Sequence, residues 1–176
     1  LFASLLVVYS LHFHPVLNDL AVACRDRTPP ASIARKPVTY IGYKEAQAYC
    51  AHRNKRLPHD WEFQYAGQGS DGRIFPWGNQ NCSACFPKQV VGTKIPGAPD
   101  VGAFSPKGDS PFGVSDLVGN VWQWTADEFE DDHTRFAVVR GGSRYDIRRA
   151  SMWYTNVEEA LRLDRYAKYF LLDDGW

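Results

Sequence analysis

Asp116-Leu117-Val118-Gly119-Asn120-Val121-Trp122-Gln123-Trp124-Thr125 is the most informative stretch of this chain. It opens with an apolar run, turns at Gly119, and then places two tryptophans two residues apart. An extended backbone would put Trp122 and Trp124 on one face, where large aromatic rings build the core of a small domain. Downstream, Phe136 to Arg140 reads as the next strand and Gly141-Gly142 as the tight turn that ends it. Ala150–Tyr154 and Tyr166–Leu172 are further short strands in this reading.

Upstream, Tyr43, Ala46, Tyr49 and Cys50 recur at helical spacing. They predict a helix from about Tyr43 to Arg53, with Gly42 at its start and Cys50 on an apolar, core-facing side. Leu57-Pro58 ends the following segment. A second helix is expected from His59 to about Ala66, with Trp61 and Tyr65 sharing a face and Gly67 and Gly69 stopping it. Lys36 to Ile41 is β-branched and aromatic and reads as a short strand. Between Gly72 and Pro111 the chain is punctuated by glycine and proline. Connections of that length without regular structure are more often functional or metal-braced.

The composition agrees with a loop-rich fold. Six Trp, nine Tyr and ten Phe beside 14 Gly and 11 Pro favour aromatic packing among turns over a helical bundle. A formal net charge of zero gives no long-range attraction to phosphate, so no nucleic-acid partner is expected. Charge does cluster locally, with acidic residues at Asp127, Glu128, Glu130, Asp131 and Asp132 and basic ones at Arg140, Arg144, Arg148 and Arg149. Leu1 to Leu11 is apolar but falls short of the roughly 20 residues a bilayer span needs. It resembles the apolar part of a signal peptide without a basic start, as expected of a fragment. Residues 1–35 are therefore read as an incomplete lead-in and residues 36–176 as the domain. Cys82 and Cys85 form a single Cys-x-x-Cys pair, half of a zinc-ribbon pattern, and admit three readings: a redox pair, a local disulfide, or two separate thiols. Asn81-Cys82-Ser83 is formally a glycosylation sequon.

Three motif clusters occur in series. The first is Lys55-Arg56-Leu57-Pro58, Trp61-Glu62-Phe63-Gln64-Tyr65-Ala66 and Phe75-Pro76-Trp77-Gly78. The second is Pro111-Phe112-Gly113-Val114 with the Asp116–Thr125 stretch, and the third is Arg140-Gly141-Gly142-Ser143. In this order the chain resembles the formylglycine-generating-enzyme-like (sulfatase-modifying-factor) domain family over about residues 36 to 172. The resemblance implies an α+β, C-type-lectin-like fold, irregular and loop-rich, with two short helices and small antiparallel sheets. The family includes copper-dependent formylglycine-generating oxidases, iron-dependent sulfoxide synthases, and ligand-binding or structural proteins, so fold alone does not assign activity. It also closes its domain with a strand carrying Gly-Phe-Arg. That motif does not occur before Trp176, which predicts an open sheet edge near the C-terminus.

The oxidases hold Cu(I) with two cysteines shortly after the Arg-Gly-Gly-Ser motif, since soft Cu(I) prefers thiolates. Here the segment from Arg144 to Tyr154 contains no cysteine, so copper and the oxidase reaction are not expected. Iron in the sulfoxide synthases rests on histidines contributed largely by a separate helical domain, so iron is expected here only if a further domain supplies ligands. His12 and His14 would share a face on a strand, but are read as ordinary histidines beside a proline turn; His52, His59 and His133 are scattered. Arg144, Tyr145, Arg148, Trp153 and Tyr154 follow the Gly-Gly-Ser turn, near the ligand surface that the resemblance implies. Guanidinium groups beside aromatic rings suit an anionic or π-bearing small molecule or a peptide. Equally, Trp153 and Tyr154 could be core and the arginines could pair with the acidic run. Calcium is the cofactor expected from the resemblance, held by the Asp116 carboxylate, the Gly119 and Val121 carbonyls and the Gln123 side-chain oxygen. Gln123 stands where the family usually has Glu, which removes one negative charge. A second possibility is that Asp116 and Asn120 fix the loop by hydrogen bonds to backbone. The overall expectation is a ligand-binding or substrate-positioning domain, with part of an iron-dependent oxygenase as the alternative and the formylglycine-generating oxidase third.

Overall fold

The computed structural model describes residues 8–9, 31–88, 97–130, 135–142 and 168–171. Its elements in chain order are β1 (Val8–Tyr9), α1 (Tyr43–His52), α2 (Asp60–Gln68), β2 (Trp122–Glu130), β3 (Arg135–Arg140) and β4 (Lys168–Leu171). The strands form one antiparallel sheet in the order β1-β2-β3-β4. Among the described residues β4 pairs only with β3, so its outer edge carries no strand there. The expected strand at 150–154 lies outside the described residues.

Both helices form where their spacing predicts, and each sorts its residues more finely than the spacing does. α1 buries Tyr43, Ala46 and Cys50, while Tyr49 is exposed. α2 buries Phe63 and Gly67, and the shared face of Trp61 and Tyr65 is its outer one. Gly67 is a buried helical residue and not a stop signal. The helix ends at Gly69, whose φ of 65° only glycine adopts readily. At the start of α2 the Glu62 carboxylate accepts the His59 N–H at 2.8 Å and is gripped by both Arg56 guanidinium nitrogens at 2.5 and 2.7 Å. The Arg56 fork holds the Glu62 pKa well below its ordinary 4.5, at about 2. Because the folded value lies below the unfolded one, the carboxylate stabilises the fold above about pH 4.5 and that contribution fades as pH falls toward 2. Glu62→Gln should therefore lower the melting temperature by a few degrees at neutral pH and leave it almost unchanged near pH 2, read by thermal melts across that range.

The strand expected at 36–41 is absent. Tyr40 has φ 61°, which breaks an extended run, and Val38 and Tyr40 are exposed. β-propensity expresses fit to a half-buried pleated surface, and this segment has none to lie on. It is anchored instead by Lys36, whose ammonium meets Asp100 at 2.8 Å.

The main core lies between one face of β2–β3 and α1. Trp122, Trp124, Ala137 and Val139 pack with Tyr43, Ala46, Cys50 and Leu57. Trp122 and Trp124 share that face as expected, and the Trp124 ring meets Tyr43 edge-on at 5.4 Å. Burial, then Glu128, pushes the Tyr43 phenol up to about 12, while its hydroxyl donates to the Ala126 carbonyl at 3.1 Å. The β2–β3 register shifts between Trp124 and Glu128. In that bulge the Ala126 N–H leaves the ladder and donates to the Pro58 carbonyl at 2.8 Å, joining the sheet to the chain just before α2. The architecture is α+β, loop-rich and C-type-lectin-like, with two short helices against a small antiparallel sheet.

Candidate functional site

The opposite face of β2–β3 looks toward α2. Gln123 and Arg140 are cross-strand partners there. Arg140 is 3% exposed, forms an ion pair with Asp60 at 3.0 Å and donates to the Gln64 side chain at 3.1 Å. The first residue of the Arg-Gly-Gly-Ser motif thus ties the sheet to α2. Asp127, carried outward by the bulge, accepts the Asp60 N–H and faces the His59 ring nitrogen Nδ1 at 3.0 Å. A carboxylate at that position complements the positive end of the helix.

The Gly119–Asn120 loop fills the space between this face and the long irregular connection. Gly119 N donates to the Gly141 carbonyl at 2.7 Å, locking the loop to the Gly-Gly turn. Gly141 has φ 88°, and a Cβ there would lie 3.1 Å from both Gln123 Nε2 and the Leu117 carbonyl oxygen, so only glycine fits. Gln123 Nε2 donates to the Asp116 carbonyl at 2.8 Å. The Asp116 carboxylate accepts the Gly102 N–H at 2.6 Å, which confirms its loop-fixing role. Burial, and secondarily the charge of Asp109, raises the Asp116 pKa against the lowering effect of that hydrogen bond.

Asn120 behaves differently. It is 1% exposed, and neither its Oδ1 nor its Nδ2 has a hydrogen-bond partner. The buried Asp109 Oδ1 is also unpartnered, although its Oδ2 accepts from Ser105 at 2.6 Å. Buried polar atoms are costly when unpaired. Asp109 lies close enough to Asp116 for its charge to act on that carboxyl. No group of three or more His, Cys, Asp or Glu that could hold a metal occurs among the described residues. The sequence singled out Asp116, Gly119, Val121 and Gln123 but not Asp109, whose separation from Asp116 fits no motif.

Cys82 and Cys85 are joined in a disulfide, and Cys50 is buried in the α1 core with its pKa raised by desolvation. His52 closes α1 and His59 faces Asp127, so the two do not converge on one centre. His12, His14, His133, Cys24 and the ligand candidates Arg144, Tyr145, Arg148, Trp153 and Tyr154 lie outside the described residues.

The sequence pattern of the sulfatase-modifying factor enzyme 1-like domain matches residues 20–165. The chain belongs to that family. It is similar to the inactive C-alpha-formylglycine-generating enzyme 2 of Bos taurus, 38% identical over 119 residues that make up 62% of this chain and 39% of the relative. It is 34% identical over 121 residues to the formylglycine-generating enzyme of Mus musculus, covering 60% of this chain and 32% of that protein. Hercynine oxygenase of Mycobacterium tuberculosis is 30% identical over 131 residues, 68% of this chain and 30% of that protein. The chain spans about two fifths or less of the length of these relatives.

Proposed function

We infer that this chain is a non-oxidising member of the family that binds or positions a small molecule or peptide. The observation that carries the reading is the placement of its cysteines. None stands in the segment from Arg144 to Tyr154, two are joined in the Cys82–Cys85 bridge, Cys50 is buried in the core, and Cys24 lies outside the described residues. Cu(I) chemistry needs thiolates, and the positions after the Arg-Gly-Gly-Ser motif offer none. Similarity to a relative named as an inactive enzyme supports the same reading. Arg144, Tyr145, Arg148, Trp153 and Tyr154 are the proposed ligand contacts, suited to an anionic or π-bearing group. Incubating the chain with Cu(I), oxygen and a cysteine-containing peptide, with an aldehyde-reactive probe as readout, should give no aldehyde. Catalytic aldehyde formation would overturn the reading.

Calcium is the proposed cofactor, held by the Asp116 carboxylate, the Gly119 and Val121 carbonyls and the Gln123 side-chain oxygen. Its role would be to brace the Gly119–Asn120 loop and not to take part in a reaction. With Gln in place of a second carboxylate, binding is expected to be weak. Gln123→Glu should tighten calcium about ten-fold or more and make the melting temperature calcium-dependent, because the added buried charge needs a cation. Titration calorimetry with no calcium heat in either protein would remove calcium from the account.

A second reading is supported by the similarity to hercynine oxygenase. In it this chain is part of an iron-dependent oxygenase whose metal-binding half lies elsewhere in a longer protein. A histidine-rich helical region encoded upstream in the same reading frame would favour it.

A further inference from the structure

The Cys82–Cys85 bridge contributes to neither reading, and its surroundings differ sharply at its two ends. Cys82 is half-buried on the outer side of a turn, whereas Cys85 is 6% exposed. The Cys85 sulfur lies 3.1 Å from the Lys107 carbonyl oxygen. The Cys85 carbonyl is pressed so closely against Gly108 that a Cβ there would approach it to 2.1 Å. Cys85 is thus fixed by the 104–108 turn, and Phe86 next to it stacks on Trp77 at 5.5 Å, beside the Phe63, Leu117 and Val118 cluster. The turn itself is held by the Cys85 N–H donating to the Cys82 carbonyl at 3.1 Å.

Most of these contacts are made by backbone atoms and by Phe86, not by the bridge itself. The stabilisation that a disulfide gives through chain entropy grows with the loop it closes, and a separation of three residues closes almost none. A bridge that closes so short a loop, with one cysteine half-buried and the other buried and clamped, has the asymmetry of a thiol–disulfide exchange pair. We propose that Cys82–Cys85 is a reversible redox centre that exchanges with small thiols or dithiols of the glutathione or thioredoxin class, with Cys82 as the attacking and attacked sulfur.

In reduction, an external thiolate attacks Cys82 Sγ and forms a mixed disulfide as the Cys82–Cys85 bond breaks. The electron pair passes to Cys85 Sγ, which takes a proton and becomes a thiol with the Lys107 carbonyl already in place as acceptor. A second thiolate then attacks the reductant's own sulfur in the mixed disulfide and releases Cys82 as a thiolate. Two electrons and one proton, the latter at Cys85, have then entered the pair for each external disulfide formed, and a second proton enters when the Cys82 thiolate takes one from water. Oxidation is the reverse: Cys82 thiolate attacks an external disulfide, and Cys85 displaces the leaving thiol to close the bridge. Its greater access makes Cys82 the reactive sulfur in both directions.

The test equilibrates the folded chain in mixtures of reduced and oxidised glutathione, quenches with acid, and reads the state of both cysteines by mass-tag alkylation and peptide mass spectrometry. The bridge should open and close reversibly across the series with tryptophan fluorescence unchanged. In the reduced protein, a pulse of iodoacetamide should label Cys82 at least about ten-fold faster than Cys85. Cys85→Ala should accumulate a glutathione mixed disulfide at Cys82, and Cys82→Ala should accumulate far less at Cys85. A bridge that opens only in denaturant, or equal labelling of the two sulfurs, would overturn the proposal.

Discussion

Replacing Trp124 with alanine should lower the folding free energy by about 3–5 kcal/mol, the usual cost of deleting a buried large aromatic side chain. Trp124 is 7% exposed in the cluster that joins β2 and β3 to α1, and its ring meets Tyr43 edge-on. The substitution removes transfer free energy, leaves a cavity between sheet and helix, and loses an aromatic pair worth about 1 kcal/mol more. Against a total stability of about 5–15 kcal/mol, that loss brings the domain close to unfolding. Urea denaturation followed by far-UV circular dichroism measures it. A loss below about 1 kcal/mol would mean that the sheet and α1 do not share one core.

The second large effect is at Arg140. Arg140→Ala should cost about 3 kcal/mol, because it strands Asp60 and Gln64 at the sheet–α2 contact and removes a charge that is 3% exposed. Asp60 is itself partly exposed, so Asp60→Ala should cost less. A double-mutant cycle should then return a coupling of about 1 kcal/mol or more between the two sites. Additive losses would show that Arg140 does not hold α2 through Asp60.

The first residue of the Arg-Gly-Gly-Ser motif is therefore explained by folding, whatever the ligand. Its partner was not legible in the sequence, since nothing in the spacing of Asp60 and Arg140 marks them as neighbours. Local signals were legible: helical spacing placed α1 and α2, the Trp-x-Trp pattern placed the buried face of β2, and Cys50 fell in the core as its position on α1 required. The strand expected at 36–41 failed because propensity cannot supply a neighbouring surface. Trp61 and Tyr65 share a face as their spacing requires, and that face is the outer one. Both i,i+4 pairs on α2, 61/65 and 63/67, are plausible faces, and only the surrounding fold selects the one containing Phe63 and Gly67.

At the candidate site, Gln123 reaches the Asp116 carbonyl and Gly119 is bonded to Gly141. The pairing of Asp116 with Gly102 and the unpartnered amide of Asn120 are tertiary facts that no residue pattern encodes. The Cys-x-x-Cys pair leaves three alternatives open in the sequence, and the structure shows the two joined, with Cys82 half-buried and Cys85 buried against the Lys107 carbonyl.

The central proposal is that this chain does not use the thiolate copper site of the oxidases and acts by binding. Its most direct test is the transition-metal content of the protein, purified at its natural length, desalted and analysed by inductively coupled plasma mass spectrometry. The account predicts no stoichiometric copper or iron. One copper or iron per chain that survives desalting would contradict it.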